Sequence, residues 1–283
     1  MQSVADCTIS KLTDHTGAEV RGIDLRDPID DALRARLNQA FIDHSVLVVR
    51  DQHLSPPQLV DAVRLFGEVF PQQDKTFSLP DCPLIHYVSN QDSYADGTRY
   101  IPGAGYHTDH SNAACPPKAT VLHAVKLPDR GGDTQYVNMH RAYEDLPEAI
   151  KRTIDGKRAI HVYQSRHSAR KLMVLSEENR KAVPDAVLHP LVRTHPESGR
   201  KAIYLNPIRV EGIEGMPESD ALALLDELLA HARQPQYEYR HRWQMGDMVM
   251  WDNRCLLHKA NGDYDMNQVR YLYRVMLKGE TPT

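Results

Sequence analysis

The distribution of apolar and polar positions along the chain predicts short strands that alternate with a few amphipathic helices. Residues 17–25 and 45–50 carry apolar side chains between turn residues, a pattern that predicts strands. Apolar residues at helical spacing predict a helix over residues 30–44. The sequence SPPQ at 55–58 predicts a second helix, with the serine as N-cap and the glutamine in the capping-box position. This helix is expected to end at Gly67.

The rest of the chain is dominated by short β-like runs, which are KATVLHAVKL, TQYVNM, KAIYLNP, DMVMWDN and VRYLYRVML. Helical patterns interrupt these runs at 140–154 and 218–233. Many short strands with turns between them favour a sandwich or barrel over a parallel sheet. We therefore predict a mainly β fold with flanking helices around a double-stranded β-helix core, which is the jelly-roll or cupin-like arrangement.

Two segments lack a clear period. Residues 68–106 are irregular and rich in Pro, Gly and Asn, and residues 164–187 are polar and basic. Loops of such length are usually functional or disordered. Because no repeat or low-complexity linker divides the chain, we expect a single domain over 1–283, with active-site loops at 70–105 and 164–187.

The composition narrows the class of protein. The chain has 283 residues, 41% hydrophobic and 25% charged, with a formal net charge of −4. It carries no basic stripe for nucleic acid and no apolar run of the roughly 18 residues that a membrane span needs. The first residues lack the apolar region of a secretory signal. The four scattered cysteines form no CxxC pair, which favours reduced thiols in a cytoplasmic protein.

Candidate metal chemistry begins with the motif His107-Thr108-Asp109. The chain has 15 histidines, so about one His-x-Asp pair is expected by chance, and this is the one it contains. A His-x-Glu pair also occurs, at His195 and Glu197, in a segment that we interpret as a solvent-exposed turn. In an extended segment, residues two apart project from the same side, so His107 and Asp109 can reach one ion.

A third ligand has to come from a distant strand, and the candidate is His258. A lone histidine at a strand end can also be a surface or capping residue. Two histidines and a carboxylate on one face leave open positions, the arrangement of non-haem Fe(II) oxygenases. Trp251 and Asp252, in the preceding run, are expected to shape the strand rather than take part in chemistry.

Two arginines follow, Arg270 and Arg274. Residues four apart on a strand share a face. Guanidinium groups among apolar strand residues are costly to bury unless they meet an anion, and arginine pairs well with carboxylates. A surface strand with salt bridges is the alternative. A metal and paired arginines together favour small anionic ligands at an iron centre.

The motifs YHTDHS, LPDRGGDT, HPLVRTHPESGRKAIYLN, YRHRWQMGDMVMWDNRCLLHKA and RYLYRV follow RGIDLRDP, HSVLVVRDQHLS and FGEV in that order. Over nearly its whole length, the chain thereby resembles the taurine/2,4-dichlorophenoxyacetate dioxygenase family of Fe(II)- and 2-oxoglutarate-dependent enzymes. The resemblance implies His107, Asp109 and His258 as iron ligands, with Fe(II), 2-oxoglutarate and O2 as cofactors and co-substrates. It implies hydroxylation of a small anionic substrate, with release of succinate and CO2. We also expect a homo-oligomer.

The resemblance also implies roles for residues around the metal. Arg270 binds the distal carboxylate of 2-oxoglutarate, Thr134 of GGDT adds a hydroxyl hydrogen bond to it, and Arg274 faces the anionic group of the substrate. Without the family, Thr134 would be interpreted as a plain turn residue. The gap from His258 to Arg270 is one residue longer than the family pattern. We place the extra residue in the loop NGDYDMNQ; otherwise the roles of the two arginines shift or interchange.

The resemblance narrows the substrate as well. Taurine enzymes have His and Tyr a few residues after the FG turn and Asn just before HxD, whereas this chain has Gln72, Lys75 and Gly103. Taurine is therefore disfavoured. The phenoxyacetate-type enzymes are more similar in LVRTHPESGRK, YRHRW and WDNRC, and they too have a lysine near position 75.

We hypothesise that Lys75, Arg209 and Arg274 favour a carboxylate substrate of the aryloxyalkanoate type, with or without a second anionic group. Arg166 is a further candidate substrate residue in the 164–187 segment. Solvent exposure is the alternative for each of these cations.

Three alternatives remain open. Within the enzyme class, the chain could be a sulfonate or sulfate-ester dioxygenase. Outside it, two histidines and a carboxylate could hold Zn²⁺ in a hydrolase. A jelly-roll binding module without activity is disfavoured, because all three ligand types are intact.

Overall fold

The computed structural model describes residues 2, 7–71, 76–93, 97, 99, 101–170, 172, 177–181 and 183–283. Its helices are α1 Asp31–His44, α2 Pro56–Arg64, α3 Met139–Glu144, α4 Glu148–Ile154, α5 Glu177–Lys181 and α6 Glu218–Ala232. Its strands are β1 Thr8–Lys11, β2 Ala18–Arg21, β3 Val46–Val49, β4 Ser78–Leu79, β5 Cys82–Ser89, β6 Ala119–Lys126, β7 Thr134–Asn138, β8 Arg158–His161, β9 Val187–Pro190, β10 Val192–Thr194, β11 Lys201–Ile203, β12 Val210–Ile213, β13 Glu238–His241, β14 Met248–Asp252, β15 Leu256–Ala260 and β16 Tyr271–Leu277.

One large sheet and several smaller ones form the core. The large sheet has the strand order β1-β2-β3-β14-β6-β16-β5-β4. A second sheet has the order β13-β7-β15, and the remaining strands form the sets β12-β8-β9 and β10-β11. Most neighbours pair antiparallel although they are far apart in the chain, as β14 does with β3 and β6. The fold is mainly β with a jelly-roll core, as the strand pattern predicted.

Strand β3 shows where the hydrophobic core lies. Its four residues are all buried, which is the pattern of a strand covered on both faces. Val46 and Val48 pack into the cluster that contains Tyr136 and Trp251. Alternate residues point to opposite faces, and Leu47 and Val49 accordingly pack into a second cluster with residues of α1 and α2. One face of the large sheet therefore packs against the helices α1 and α2, and the other face packs against the second sheet.

The helices α1, α2 and α6 match the predicted ones closely. The Asp30 side chain caps α1 by accepting a hydrogen bond from the Leu33 N–H. At the start of α2, Oε1 of Gln58 accepts a 2.9 Å hydrogen bond from the Ser55 N–H, as in a capping box. The helical stretch predicted around 140–154 is present, but residues 145–147, which include a proline, divide it into α3 and α4.

The irregular sequence pattern of residues 68–106 did not reveal a strand that lies within it. Within it, β5 pairs with β16 and so belongs to the large sheet. The strand was hidden because Pro83 lies at its beginning and its apolar residues do not alternate cleanly. The other long segment, 164–187, contains the short helix α5. None of the helices that the structure describes is long and apolar enough to cross a membrane.

Candidate metal centre

Three residues predicted to meet are brought together by two chain segments that pair with each other. The N–H of His107 donates to the carbonyl of His258 at 3.0 Å, and the N–H of His258 donates to the carbonyl of His107 at 2.8 Å. This antiparallel bridge sets the two imidazole rings side by side, with centroids 4.2 Å apart. Asp109 projects to the same point, so one potential ligand atom from each residue lies within 4.8 Å of the others.

The donor set fits a divalent metal. Nε2 of His107 lies 3.8 Å from Oδ1 of Asp109, and Nε2 of His258 lies 3.8 Å from Oδ2 of the same carboxylate. Burial lowers the pKa of His107 to about 4 and that of His258 to about 3, so both rings are neutral and can offer a lone pair at neutral pH. Nδ1 of His107 lies 2.9 Å from the carbonyl of Gly105, which leaves Nε2 as the ligand atom.

The carboxylate of Asp109 is charged and its orientation is fixed. Burial alone would raise the pKa of Asp109, but the neighbouring His258, His107 and Arg274 lower it below its usual range. The hydroxyl of Thr120 donates to Oδ2 of Asp109 at 2.5 Å. A metal ligand of this kind needs such an outer partner to hold its geometry.

Asn253 connects Thr120 to the rest of the site. Its Nδ2 donates to Oγ1 of Thr120 at 2.9 Å, and its Oδ1 accepts from the indole N–H of Trp251 at 3.1 Å. The hydroxyl of Thr108, inside the metal motif, donates to the Asn253 carbonyl at 2.8 Å. The WDN segment thus supports the metal carboxylate through hydrogen bonds, and Trp251 shapes the site without being placed among the metal ligands.

Arg270 lies beside the GGDT motif. Its Nε–H donates to the Gly132 carbonyl at 2.9 Å, while Nη2 is buried and has no partner among the described residues. Gly132 has φ +70°, and a Cβ there would lie 3.1 Å from Cδ of Arg270. The site therefore requires glycine at this position, because a side chain would displace the guanidinium.

Thr134 and Trp243 complete this part of the site. The indole N–H of Trp243 donates to Oγ1 of Thr134 at 3.0 Å, so the threonine hydroxyl proton can be donated elsewhere. The Trp243 ring lies 6.0 Å from the Arg270 guanidinium carbon. Arg270 and Thr134 together offer unused donors, which is a suitable arrangement for a carboxylate.

Arg274 lies on β16 and pairs in register with His86 of β5. Its Nη2–H donates to Nδ1 of His86 at 3.0 Å, and its Nε is buried without a partner among the described residues. Residues 261–270 form the loop between β15 and β16. Arg270 is the last residue of this loop, and Arg274 lies within β16. The two arginines consequently have separate surroundings.

The other predicted substrate residues have different positions. Arg209 is half-buried near the metal motif, with Nη1–H donating to the Tyr163 carbonyl at 2.7 Å. Arg166 is not brought into the site: its side chain is 64% exposed and forms ion pairs with Glu211 and Glu218. Lys75 lies outside the described residues, as does Gln72.

One further histidine differs from its sequence interpretation. His195 is 2% exposed rather than at a solvent-exposed turn, because its Nε2 lies 3.0 Å from Oδ2 of the buried Asp252. That carboxylate also binds Arg254, so Asp252 has a structural role, as predicted. His110, the second histidine of YHTDHS, has a left-handed φ of 46° and is not part of the three-residue metal group.

Sequence patterns did not indicate the supporting residues Thr120, Asn253, Trp243 and His86. Asn253 and Trp243 fall inside the quoted motifs WDNRC and YRHRW, which was the only available signal. Thr120 and His86 lie in strands whose register brings them to the site, and register across a sheet is not visible in a local pattern.

Comparison with known proteins agrees with this geometry. The chain is 37% identical over 246 residues to an alpha-ketoglutarate-dependent 2,4-dichlorophenoxyacetate dioxygenase of Burkholderia sp. (strain RASC), covering 83% of this chain and 82% of that protein. It is 32% identical to an alkylsulfatase of Acinetobacter baylyi, covering 97% and 86% of the two chains. The crystal structure of AAD-2 in complex with Mn(II) and N-oxalylglycine superposes with a TM-score of 0.83 at 28% identity, over 98% and 99% of the two chains.

The family assignment rests on most of the chain. Residues 8–276 match the family described as "Taurine catabolism dioxygenase TauD, TfdA family". This range includes all three residues of the metal group, the GGDT motif, Arg270 and Arg274. The chain belongs to the TauD, TfdA family of dioxygenases.

Proposed function

We propose that this protein is an Fe(II)- and 2-oxoglutarate-dependent dioxygenase that hydroxylates a small carboxylate substrate of the aryloxyalkanoate type. One observation carries the proposal: the ligand atoms of His107, Asp109 and His258 lie within 4.8 Å of one another. Two imidazoles and one carboxylate leave metal positions open for a co-substrate and O2. When bound, iron and 2-oxoglutarate supply the oxidising chemistry, which yields succinate, CO2 and the hydroxylated product.

The residues of the chain position both organic molecules. Arg270 and Thr134 offer donors for the distal carboxylate of 2-oxoglutarate, and the buried, unpartnered Nη2 of Arg270 supports this role. A guanidinium buried without an anion is costly, so the co-substrate stabilises this part of the site. Arg274, held by His86, offers Nε–H for the anionic group of the substrate.

A sulfate-ester or sulfonate substrate is the second candidate, since the alkylsulfatase relative covers 97% of the chain. A guanidinium binds sulfate and carboxylate in similar geometry, so Arg274 does not distinguish them. A zinc hydrolase is less favoured, because such an enzyme has no use for the unpartnered donor of Arg270. The proposed contribution of Lys75 stays a prediction, and unchanged substrate affinity in Lys75→Met would contradict it.

Three broader expectations complete the proposal. A single domain over 1–283 is supported by the large sheet, which joins β1 to β16. A cytoplasmic location is supported by the four cysteines, which are all free thiols. The homo-oligomeric state stays a prediction that light scattering on the purified protein would measure.

Anaerobic titration tests the reaction class. Purified protein is loaded with Fe(II), and 2-oxoglutarate is added without O2; a visible metal-to-ligand charge-transfer band is expected. The band should shift when a phenoxyacetate binds, and it should be absent in Asp109→Ala. Hydrolysis supported by Zn²⁺, with no band and no 2-oxoglutarate binding, would overturn the proposal.

A further inference from the structure

Arg209 is fixed to the metal motif by the asparagine three residues before it. Nδ2 of Asn206 donates to the Thr108 carbonyl at 2.7 Å and to Oγ of Ser111 at 3.0 Å. Oδ1 of Asn206 accepts from the Ile208 N–H at 3.1 Å. Asn206 is fully buried, so this turn cannot move independently of His107 and Asp109.

The guanidinium of Arg209 has no anionic partner in the part of the chain that the structure describes. Nη1–H donates to the Tyr163 carbonyl, and the guanidinium carbon lies 5.2 Å from the Tyr163 ring centroid. Among the described residues, no carboxylate forms an ion pair with it. Burial lowers its pKa to about 10, which leaves it protonated at neutral pH. Arg209 is therefore a half-buried positive charge at neutral pH whose contacts are a carbonyl and an aromatic face.

Other buried arginines of the chain form ion pairs with carboxylates. Arg50 forms ion pairs with Glu19 and Asp247 at 2.7 and 2.6 Å. Arg254, 1% exposed, forms ion pairs with Asp252 and Glu197, both at 2.6 Å. These structural arginines have carboxylates because an unpaired buried charge is strongly destabilising. Arg209, Arg270 and Arg274 have no such carboxylates within the described ranges of the chain, which is the pattern expected where ligands supply the anions.

Arg209 and Arg274 approach the metal motif from different chain segments. The turn that carries Arg209 is joined through Asn206 to the carbonyl of Thr108, the residue between His107 and Asp109. The carboxylate of Asp109 is close enough to both guanidinium groups to interact with each of them electrostatically. Both arginines are therefore positive charges beside the metal carboxylate.

The charges of the loaded site do not balance with a substrate that carries one negative charge. Fe(II) with Asp109 leaves one positive charge, and 2-oxoglutarate with Arg270 leaves one negative charge, so these four groups cancel. A monoanionic substrate then neutralises Arg274. The charge of Arg209 is left over, and so is that of Arg170, which acts on His107, His258 and Arg209. In surroundings of low effective dielectric constant such unbalanced charges are costly, and Arg209 is the one whose turn is joined to the metal motif through Asn206.

We propose that Arg209 is a second anion-binding residue of the substrate pocket, and that the substrate carries two anionic groups, one for Arg274 and one for Arg209. This inference rests on the proposed function, because it assumes that the pocket beside the metal binds the substrate. It narrows the substrate class from small acids to diacids, in which the second group is a carboxylate or an anion of similar geometry.

Matched probes test the inference. The probes are phenoxyacetate and its 2-, 3- and 4-carboxy derivatives, which add a second carboxylate at three distances from the first. Binding to the anaerobic Fe(II)–2-oxoglutarate protein is followed by the shift of the charge-transfer band and by calorimetry. At least one diacid is expected to bind about tenfold or more tightly than phenoxyacetate, the effect of one charge-assisted hydrogen-bonded pair.

Variants assign the preference to one residue. Arg209→Met should abolish the preference for the diacid, and Arg209→Lys should keep part of it. The control is Arg158→Met, on the neighbouring strand β8, whose side chain is 51% exposed and should leave the preference unchanged. An intact band with 2-oxoglutarate shows that each variant is folded and loaded.

The outcomes separate this inference from the proposed function. No band in the unmodified protein would overturn the proposed function. A normal band with equal affinity for phenoxyacetate and all three diacids would overturn the inference alone. Weaker 2-oxoglutarate binding in Arg209→Met, with the diacid preference retained, would also overturn it, because Arg209 would then bind the co-substrate.

Discussion

The hydroxyl of Thr120 donates a 2.5 Å hydrogen bond to Oδ2 of Asp109, so a residue of β6 sets the orientation of a carboxylate in the metal group. The hydroxyl itself accepts from Nδ2 of Asn253 at 2.9 Å, which fixes the direction of its proton. One oxygen of Asp109 is thereby engaged by the protein, and Oδ1 is the more available for a metal.

Replacing Thr120 by valine tests this relationship, since the shape is retained and the hydroxyl is lost. We expect the affinity for Fe(II) or Co(II) to fall about 10- to 100-fold, as for other partners of metal ligands. Anaerobic metal titration measures this. Thr120→Ser, which keeps the hydroxyl, should restore most of the affinity. The control is Thr153→Val in α4, where the hydroxyl donates to a backbone carbonyl in an exposed turn. Equal metal affinity in Thr120→Val and the unmodified protein would contradict the role of Thr120.

The second prediction concerns Gly132. A side chain at this position would have two effects, backbone strain and a clash with Arg270, and a matched glycine variant separates them. Gly132 and Gly199 both have φ +70°, but a Cβ at Gly199 has no heavy atom within 4 Å, whereas one at Gly132 lies 3.1 Å from Cδ of Arg270. Each alanine variant should lose about 1 kcal/mol of unfolding free energy from backbone strain. Only Gly132→Ala should also weaken 2-oxoglutarate binding, by about tenfold or more, because Arg270 has to move.

Titration of the charge-transfer band with 2-oxoglutarate measures that affinity in both variants, and thermal unfolding measures their stability. If Gly199→Ala weakened 2-oxoglutarate binding equally, the effect would come from general destabilisation rather than from Arg270.

The third prediction compares two arginines for which the sequence suggested the same role. Arg274→Met should raise KM for an acid substrate by about 10- to 100-fold, since a charge-assisted pair is lost. Its 2-oxoglutarate affinity should be unchanged, because Arg270 lies elsewhere. Arg166→Met should leave both constants unchanged, because Arg166 is 64% exposed and paired with Glu211 and Glu218. Steady-state kinetics with both concentrations varied distinguishes these outcomes, and a KM effect in Arg166→Met would restore its predicted substrate role.

Part of this site follows from local sequence and part does not. The spacing of His107 and Asp109 places both on one side of an extended segment, so the local sequence predicts that both can bind one metal ion. His258 comes from β15 and meets them through a backbone bridge. Its position after a β-like run made it a candidate ligand, but only the resemblance to a family assigned it as the third one. Thr120 could not be identified at all, because its position depends on the register Trp251↔Thr120 between β14 and β6.

The errors in the predicted elements have similar causes. Strand β5 was missed because its partner β16 lies far away in the chain and supplies the pairing that its own pattern does not show. His195 lies among polar residues that favour a solvent-exposed turn, yet it is buried because Asp252 and Arg254 form a charged network there. Tertiary contacts decided both cases.

The last prediction concerns acid stability and follows from histidines that are buried neutral. His140 is 1% exposed, and its Nδ1 lies 2.9 Å from the Lys201 carbonyl. Burial lowers its pKa to about 4, and the nearby Arg200 contributes in the same direction. In the unfolded chain the pKa returns to about 6.5, so between pH 6.5 and 4 the unfolded state binds more protons and stability falls as the pH decreases.

For His140 alone, this difference amounts to about 2 kcal/mol at pH 5 and vanishes above about pH 7.5. The melting temperature should therefore fall steadily between pH 7 and 5. His140→Asn should reduce that slope, because the amide N–H of asparagine can replace the donor to Lys201 but does not titrate. His53→Asn, at an exposed position, is the control and should keep the full slope. A pH dependence in His140→Asn as steep as that of the unmodified protein would show that His140 is already protonated in the folded state, or that other groups determine the acid sensitivity.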